Sequence, residues 1–285
     1  MKNNGLYFII NQYNCHCGLT DRLKAIVGLY YIARFNKINF KFIHYAGFDI
    51  RDYLVPNKVN WSAEISDIPL LPWKAKRIKY LPPFNDFPKF QQDKQYICTR
   101  YVGKNILEKK KIPNWQNLWR ELFWELFSPS EEVLTGIKQF NLPKHYVAIS
   151  IRFLNSLGKL EDVNYNSPFP LETQKHIIDA TMQEIDDCVK KSNVPVIVYS
   201  DSIYFLKLAA KQGFQTCDIN GIGNIMNLNA GKQVYLRTFI NLFQLSQADK
   251  IYSVRNINGL PENTFYKSQY PRYAAIIGNK PFIKI

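Results

Sequence analysis

From Tyr146 to its end the chain alternates short apolar runs with amphipathic stretches, and this rhythm restricts the fold more than any other feature of the sequence. The runs at 146–151 and 194–200 are apolar almost throughout, as strands covered on both faces are, and 214–219 and 249–254 read as shorter strands of mixed character. The stretches at 171–191, 202–213, 234–248 and 270–277 carry helical periodicity, and "PFIKI" closes the chain. Strand and helix in strict alternation predict a parallel sheet with helices on both sides.

The first part of the chain opens the same way. "LYFII" (6–10) reads as a strand, and "LTDRLKAIVGLYYIARF" (19–35) as a helix with Leu23, Ile26, Val27, Tyr30 and Ala33 on one face and Thr20 or Asp21 as its cap. "INFKFIHY" (38–45) reads as a second strand. From about Pro56 to Phe90, prolines and aromatics follow no period, which predicts loops and short pieces. "WQNLWRELFWELF" (115–127) is an amphipathic helix, with Trp115, Trp119, Phe123 and Trp124 as packing residues, and 128–140 opens another. "NLPKH" (141–145) marks a boundary, giving an N-terminal α/β domain over 1–143 and a second over 144–285.

In open parallel sheets ligands sit beyond the carboxyl ends of the strands. The residues standing there are Arg152, then Asp201 and Ser202, then Arg255 and Asn256. An arginine in that position offers a planar fork of donors to a phosphate. Equally, its stem could pack on the sheet while its head pairs with a carboxylate such as Glu161 or Asp162. The helix starts after "SDS" (200–202) and "KSQYP" (267–271) could add backbone N–H groups for an anion, although ordinary capping explains Ser202 and Ser268 as well.

Charge and cysteine usage narrow the function classes. The 37 Lys and Arg against 23 Asp and Glu give a net charge of +14, which suits polyanions, phosphorylated substrates or an anionic membrane face. The basic residues are scattered, and no nucleic-acid module accompanies them, so no nucleic-acid partner is expected. Five cysteines without repeated spacing read as reduced thiols, and "CHC" (15–17) lacks the second ligand pair of a structural zinc site. No secretory signal or membrane-spanning run is visible, so the expectation is a cytoplasmic protein whose basic charge can hold it at the inner face of a membrane. "GIGNIM" (221–226) has methionine where a dinucleotide fingerprint has its last glycine.

Several stretches together resemble a known group, the fucosyltransferases that use GDP-fucose, in their α1,2, α1,6, nodulation-type and protein O-fucosyl branches. "CGLTDRLKAIVGLYYIARFNKINF" (17–40) is similar to the group's early helix, "AISIRF" (148–153) to its strand ending in His-x-Arg, and "VIVYSDS" (196–202) to its apolar strand followed by Asp. "INLFQLSQADKIYSV" (240–254) and "KSQYPRYAAIIGNKPF" (267–282) resemble stretches of the α1,6 branch and the closing helix, in family order.

The resemblance implies an α/β fold of the GT-B type, two Rossmann-like domains with a cleft between them. It implies an inverting, metal-independent transferase that carries fucose from a nucleotide-sugar donor to a glycan acceptor. Arg152 would then be the diphosphate ligand, with Glu161 or Asp162 in the following loop as a general base. Gly18, Asp21 and Arg22 would border the cleft. Asp201, Ser202, Asn241, Ser268, Gln269 and Tyr270 would hold the donor. Two positions depart from the pattern: Ser150 stands where the group has histidine, and Asn241 where the α1,6 branch has aspartate. An amide offers one acceptor and one donor where a carboxylate offers acceptors only, which leaves the base and the sugar of the donor open. A noncatalytic sugar-nucleotide or glycan binder on the same scaffold is the alternative reading.

Overall fold

The computed structural model describes residues 4–11, 18–68, 74–78, 90–91, 94–99, 105–158, 168–217 and 231–285. The chain divides into two compact units, Met1–Glu132 and Val133–Ile285.

In the first unit, β1 (Gly5–Ile10), β2 (Asn39–His44), β4 (Ala75–Ile78) and β5 (Gln95–Cys98) form a four-stranded sheet in the order β2-β1-β5-β4, parallel throughout. Neither β4 nor β5 was expected from sequence. Between β1 and β2 runs α1 (Leu19–Phe35), whose expected face of Leu23, Ile26, Val27, Tyr30 and Ala33 is buried. Its cap differs from the expectation: Gly18 is the N-cap and makes no side-chain cap bond, while Thr20 and Asp21 lie inside the first turn. Asp21 pairs there with Lys24.

Two short helices, α2 (Ile106–Lys109) and α3 (Trp115–Leu126), follow. Trp119 and Phe123 on α3 are fully buried and stack at 5.5 Å. The helix stops at Phe127, where β6 (Phe127–Pro129) pairs antiparallel with β3 (Leu54–Pro56). Trp61, from the aperiodic stretch, stacks on Phe42 at 4.2 Å and donates its indole N–H to the Leu126 carbonyl at 2.6 Å, so this ring fills core.

Arg22 is the largest buried charge of this unit, with no exposed surface. Its Nη1 reaches the Ala46 carbonyl at 3.1 Å and His44 Nε2 at 3.0 Å, and its guanidinium lies 5.3 Å from the centre of the Phe48 ring. Because the arginine can only donate, Nε2 accepts, and the His44 proton sits on Nδ1, facing the Phe48 carbonyl at 3.2 Å. Burial, reinforced by the Arg22 charge, pulls the His44 pKa down to about 3.

The second unit begins with α4 (Glu131–Gln139) from Val133 onward, whose Gly136 faces Ile240 so closely that a Cβ would stand 2.2 Å from its Cδ1. Its sheet holds β7 (Val147–Ile151), β8 (Val196–Ser200), β9 (Gln215–Thr216), β10 (Lys250–Ser253) and β11 (Phe282–Lys284) in the order β11-β10-β7-β8-β9, again parallel. Counted within the unit this is the order 3-2-1-4-5, and its switch point lies between β7 and β10. The helices are α5 (Leu171–Lys190), α6 (Ile203–Lys211), α7 (Lys232–Gln247) and α8 (Tyr270–Gly278). Val147, Ile149 and Ile151 of β7 point into one core with Val196 and Val198 of β8, Ile177 and Ile185 of α5, and Phe205 and Leu206 of α6.

Helices α7 and α8 approach backbone to backbone. A Cβ on Gly278 would lie 1.8 Å from the Ser246 carbonyl oxygen, and nearer the start of α8 the Tyr270 hydroxyl donates to the Thr238 carbonyl. Among the described residues no helix is long and apolar enough to cross a membrane.

Candidate functional site

The switch point of the second unit carries the candidate site. Strand β7 is apolar to Ile151 and ends there, which delivers Arg152 to the carboxyl edge of the sheet. A hollow of about 50 Å³ opens beside it, lined by Ser150 and Arg152 from β7 and its exit, Tyr199 and Asp201 from β8 and its exit, Asn241 and Leu245 from α7, and Ser268, Tyr270 and Pro271 at the start of α8. Pockets that engulf whole small ligands run to roughly 300 Å³ and above, so this hollow takes part of a ligand rather than all of it.

The Arg152 side chain is 30 % exposed. Its Nε lies 3.6 Å from Asp201 Oδ2, an ion pair beyond hydrogen-bond length, and Nε itself has no hydrogen-bond partner among the described residues. The guanidinium carbon sits 5.3 Å from the centre of the Tyr266 ring. Glu161 and Asp162, expected as a general base or as partners of this arginine, lie outside the described residues.

Asp201 is mostly buried and turned toward the chain that leaves β7. Its Oδ1 accepts the Phe153 N–H at 2.8 Å and its Oδ2 accepts the Leu154 N–H at 3.0 Å. Leu154 holds a positive φ of 51°, which a branched residue rarely adopts without external support. Burial raises the Asp201 pKa, opposed by Arg152 and by the two amides. The carboxylate therefore fixes the turn that presents Arg152. Replacing Asp201 by alanine leaves both N–H groups without acceptors and is expected to cost about 2–4 kcal/mol. Urea unfolding of Asp201→Ala measures it; a loss below about 1 kcal/mol would show that the turn does not need the carboxylate.

The remaining expected donor ligands divide. Ser202 caps α6, accepting the Phe205 N–H at 3.2 Å, while its own N–H goes to Ser200 Oγ at 3.1 Å. Ser268 is buried, accepts the Tyr270 N–H at 3.2 Å and lines the hollow. Gln269 is the N-cap residue of α8 without a cap bond, and its Oε1 accepts from Arg272 at 3.4 Å. Burial raises the Tyr270 phenol well above its ordinary pKa, so it is a neutral wall of the hollow. Asn241 is buried; the Cys217 sulfur lies 3.3 Å from its Oδ1 and 3.0 Å from Gln244 Oε1, and Asn241 Nδ2 has no partner among the described residues.

Gly18, Asp21 and Arg22 belong to the first unit, at the start of α1. Arg255 at the end of β10 donates to Ser253 Oγ at 3.0 Å and to the Ser268 carbonyl at 2.5 Å, fastening the loop between β10 and α8. No local pattern marks Tyr266, which lies in that aperiodic loop.

No family model matches this sequence, and no curated protein matches it. Solved structures do. The NodZ α1,6-fucosyltransferase soaked with GDP-fucose superposes with a TM-score of 0.60 at 10% identity, covering 95% of this chain and 92% of its own. NodZ from Bradyrhizobium gives 0.59 at 10% identity over 96% of this chain and 93% of its own. Arabidopsis thaliana FUT1, a mutant in complex with GDP, gives 0.57 at 12% identity over 98% of this chain and 70% of its own. At such identities the likeness speaks for architecture, and this chain has the fold of the fucosyltransferases NodZ and FUT1.

Proposed function

We propose that the protein is an inverting, metal-independent glycosyltransferase that moves fucose from GDP-fucose to a glycan hydroxyl. The single observation that carries this reading is Arg152: a guanidinium at the switch point of a parallel sheet, its Nε without a hydrogen-bond partner among the described residues, beside a hollow of about 50 Å³. Among structures with this fold, NodZ has been soaked with GDP-fucose and co-crystallized with GDP, and a FUT1 mutant is in complex with GDP.

The acceptor oxygen attacks the anomeric carbon, the carbon–oxygen bond to the diphosphate breaks, and the bonding pair leaves with GDP. Arg152 stabilises the charge that gathers on that diphosphate, which removes the need for a metal ion. Glu161 or Asp162 takes the proton of the acceptor hydroxyl. Asn241 bears on the choice of base, because its Nδ2 has no partner among the described residues and an amide offers both a donor and an acceptor.

The test is a thermal-shift screen of GDP-, UDP- and dTDP-sugars, followed by an assay for free sugar. A donor at 100 times its Kd adds about 2.7 kcal/mol and should raise the melting temperature by roughly 5–10 °C. Slow release of sugar accompanies binding if the protein is a transferase; binding without release would make it a noncatalytic binder. No shift with any sugar nucleotide would overturn the proposal.

A further inference from the structure

We propose that Tyr266 is a positioning residue for Arg152, holding the guanidinium plane so that its donors face the diphosphate of a nucleotide; this rests on the function proposed above. The geometry around Arg152 leads there. A guanidinium that must recognise a planar array of oxygens needs its plane fixed before the ligand arrives. Hydrogen bonds within the protein usually do this, but among the described residues Nε has none, and the Asp201 oxygen at 3.6 Å supplies charge without direction. What remains is the ring of Tyr266, 5.3 Å from the guanidinium carbon. Stacking against a ring is directional and leaves every N–H of the fork in the plane available.

The backbone supports the same role. The Tyr266 N–H donates to the Arg152 carbonyl at 2.7 Å, so the ring and the arginine are fastened at the main chain and meet again at the side chains. The Ser268 N–H donates to the Tyr266 carbonyl at 2.7 Å, which ties the ring to the start of α8, where the wall of the hollow stands. Tyr266 is nevertheless 46 % exposed. A large ring left that open contributes little to the core.

The experiment is isothermal titration with GDP and with inorganic pyrophosphate on Tyr266→Ala, Tyr266→Phe and Arg152→Lys, and on Arg152→Lys combined with Tyr266→Ala. A cation–π contact of this exposure corresponds to about a 2- to 10-fold change in affinity. Tyr266→Ala should weaken pyrophosphate and GDP by that factor, and Tyr266→Phe should restore them. In the Arg152→Lys background, where no planar fork remains to be held, removing the ring should change affinity less than 2-fold, roughly. Equal losses in both backgrounds would mean that the ring acts on the fold or the ligand directly, and the inference would fall. So would wild-type affinity in Tyr266→Ala. If wild-type protein binds neither GDP nor pyrophosphate, the failure lies with the proposed function instead.

Discussion

Arg152→Ala is expected to abolish donor turnover while leaving a folded protein. Removing one preorganised donor to a developing oxyanion costs about 10²–10³ in rate in well-studied enzymes, and a charged fork facing a diphosphate belongs at the upper end of that range. The fold should tolerate the change, because the side chain is 30 % exposed and its only ion pair among the described residues is the 3.6 Å contact with Asp201. Arg152→Lys keeps the charge and loses the planar fork, so it should fall between the two. The measurement is sugar release from the donor found in the screen, alongside thermal melting of each variant. Activity within about tenfold of wild type in Arg152→Ala would remove the diphosphate contact from the mechanism.

The second large effect concerns acid. His44 must be neutral to accept from Arg22, and a proton arriving at Nε2 would face a guanidinium 3.0 Å away. Its folded pKa of about 3 lies below the ordinary value of 6.5. The sign follows from linkage: the stability this group confers is complete above about pH 6.5 and is lost as the pH falls toward 3. Between pH 7 and pH 4 the loss is on the order of 3 kcal/mol. A glutamine can accept from Arg22 and donate to Phe48 without titrating in this range, so His44→Gln should lose correspondingly less stability over the same interval. All five tryptophans of the chain lie in the first unit, which makes their fluorescence a local reporter of its unfolding in urea. Parallel losses in wild type and variant would assign the acid sensitivity to the carboxylates.

The second unit was largely readable from the sequence because its central strands, β7 and β8, are covered on both faces. Continuous apolar runs such as "VAISI" and "VIVYS" leave the period no ambiguity, and the helices between them keep a polar face. Strand β5 escaped for the opposite reason. "QYIC" is four residues long, begins with a polar residue, and gains its place between β1 and β4 only through tertiary pairing. The cap of α1 was misplaced because Thr20 and Asp21 are good capping residues that fall inside the first turn, after a glycine already in extended conformation.

The candidate site was legible in part. Position at a strand end singled out Arg152 and Asp201, but not their relation: the carboxylate's bonds to the Phe153 and Leu154 amides depend on a turn that no local pattern announces. Arg22 shows the converse. As a charged residue in a resemblance-bearing motif it suggested a ligand contact, whereas burial has turned it toward His44 and Ala46.

Gly278 has a bearing on recognition that its distance from Arg152 conceals. Helix α7 supplies Asn241 and Leu245 to the hollow, helix α8 supplies Tyr270 and Pro271, and the two are riveted at Thr238–Tyr270 and at Ser246–Gly278. Any side chain at 278 would act as a wedge driven into the lower rivet, splaying the jaws above it. The hollow would change shape although none of the residues that line it had changed.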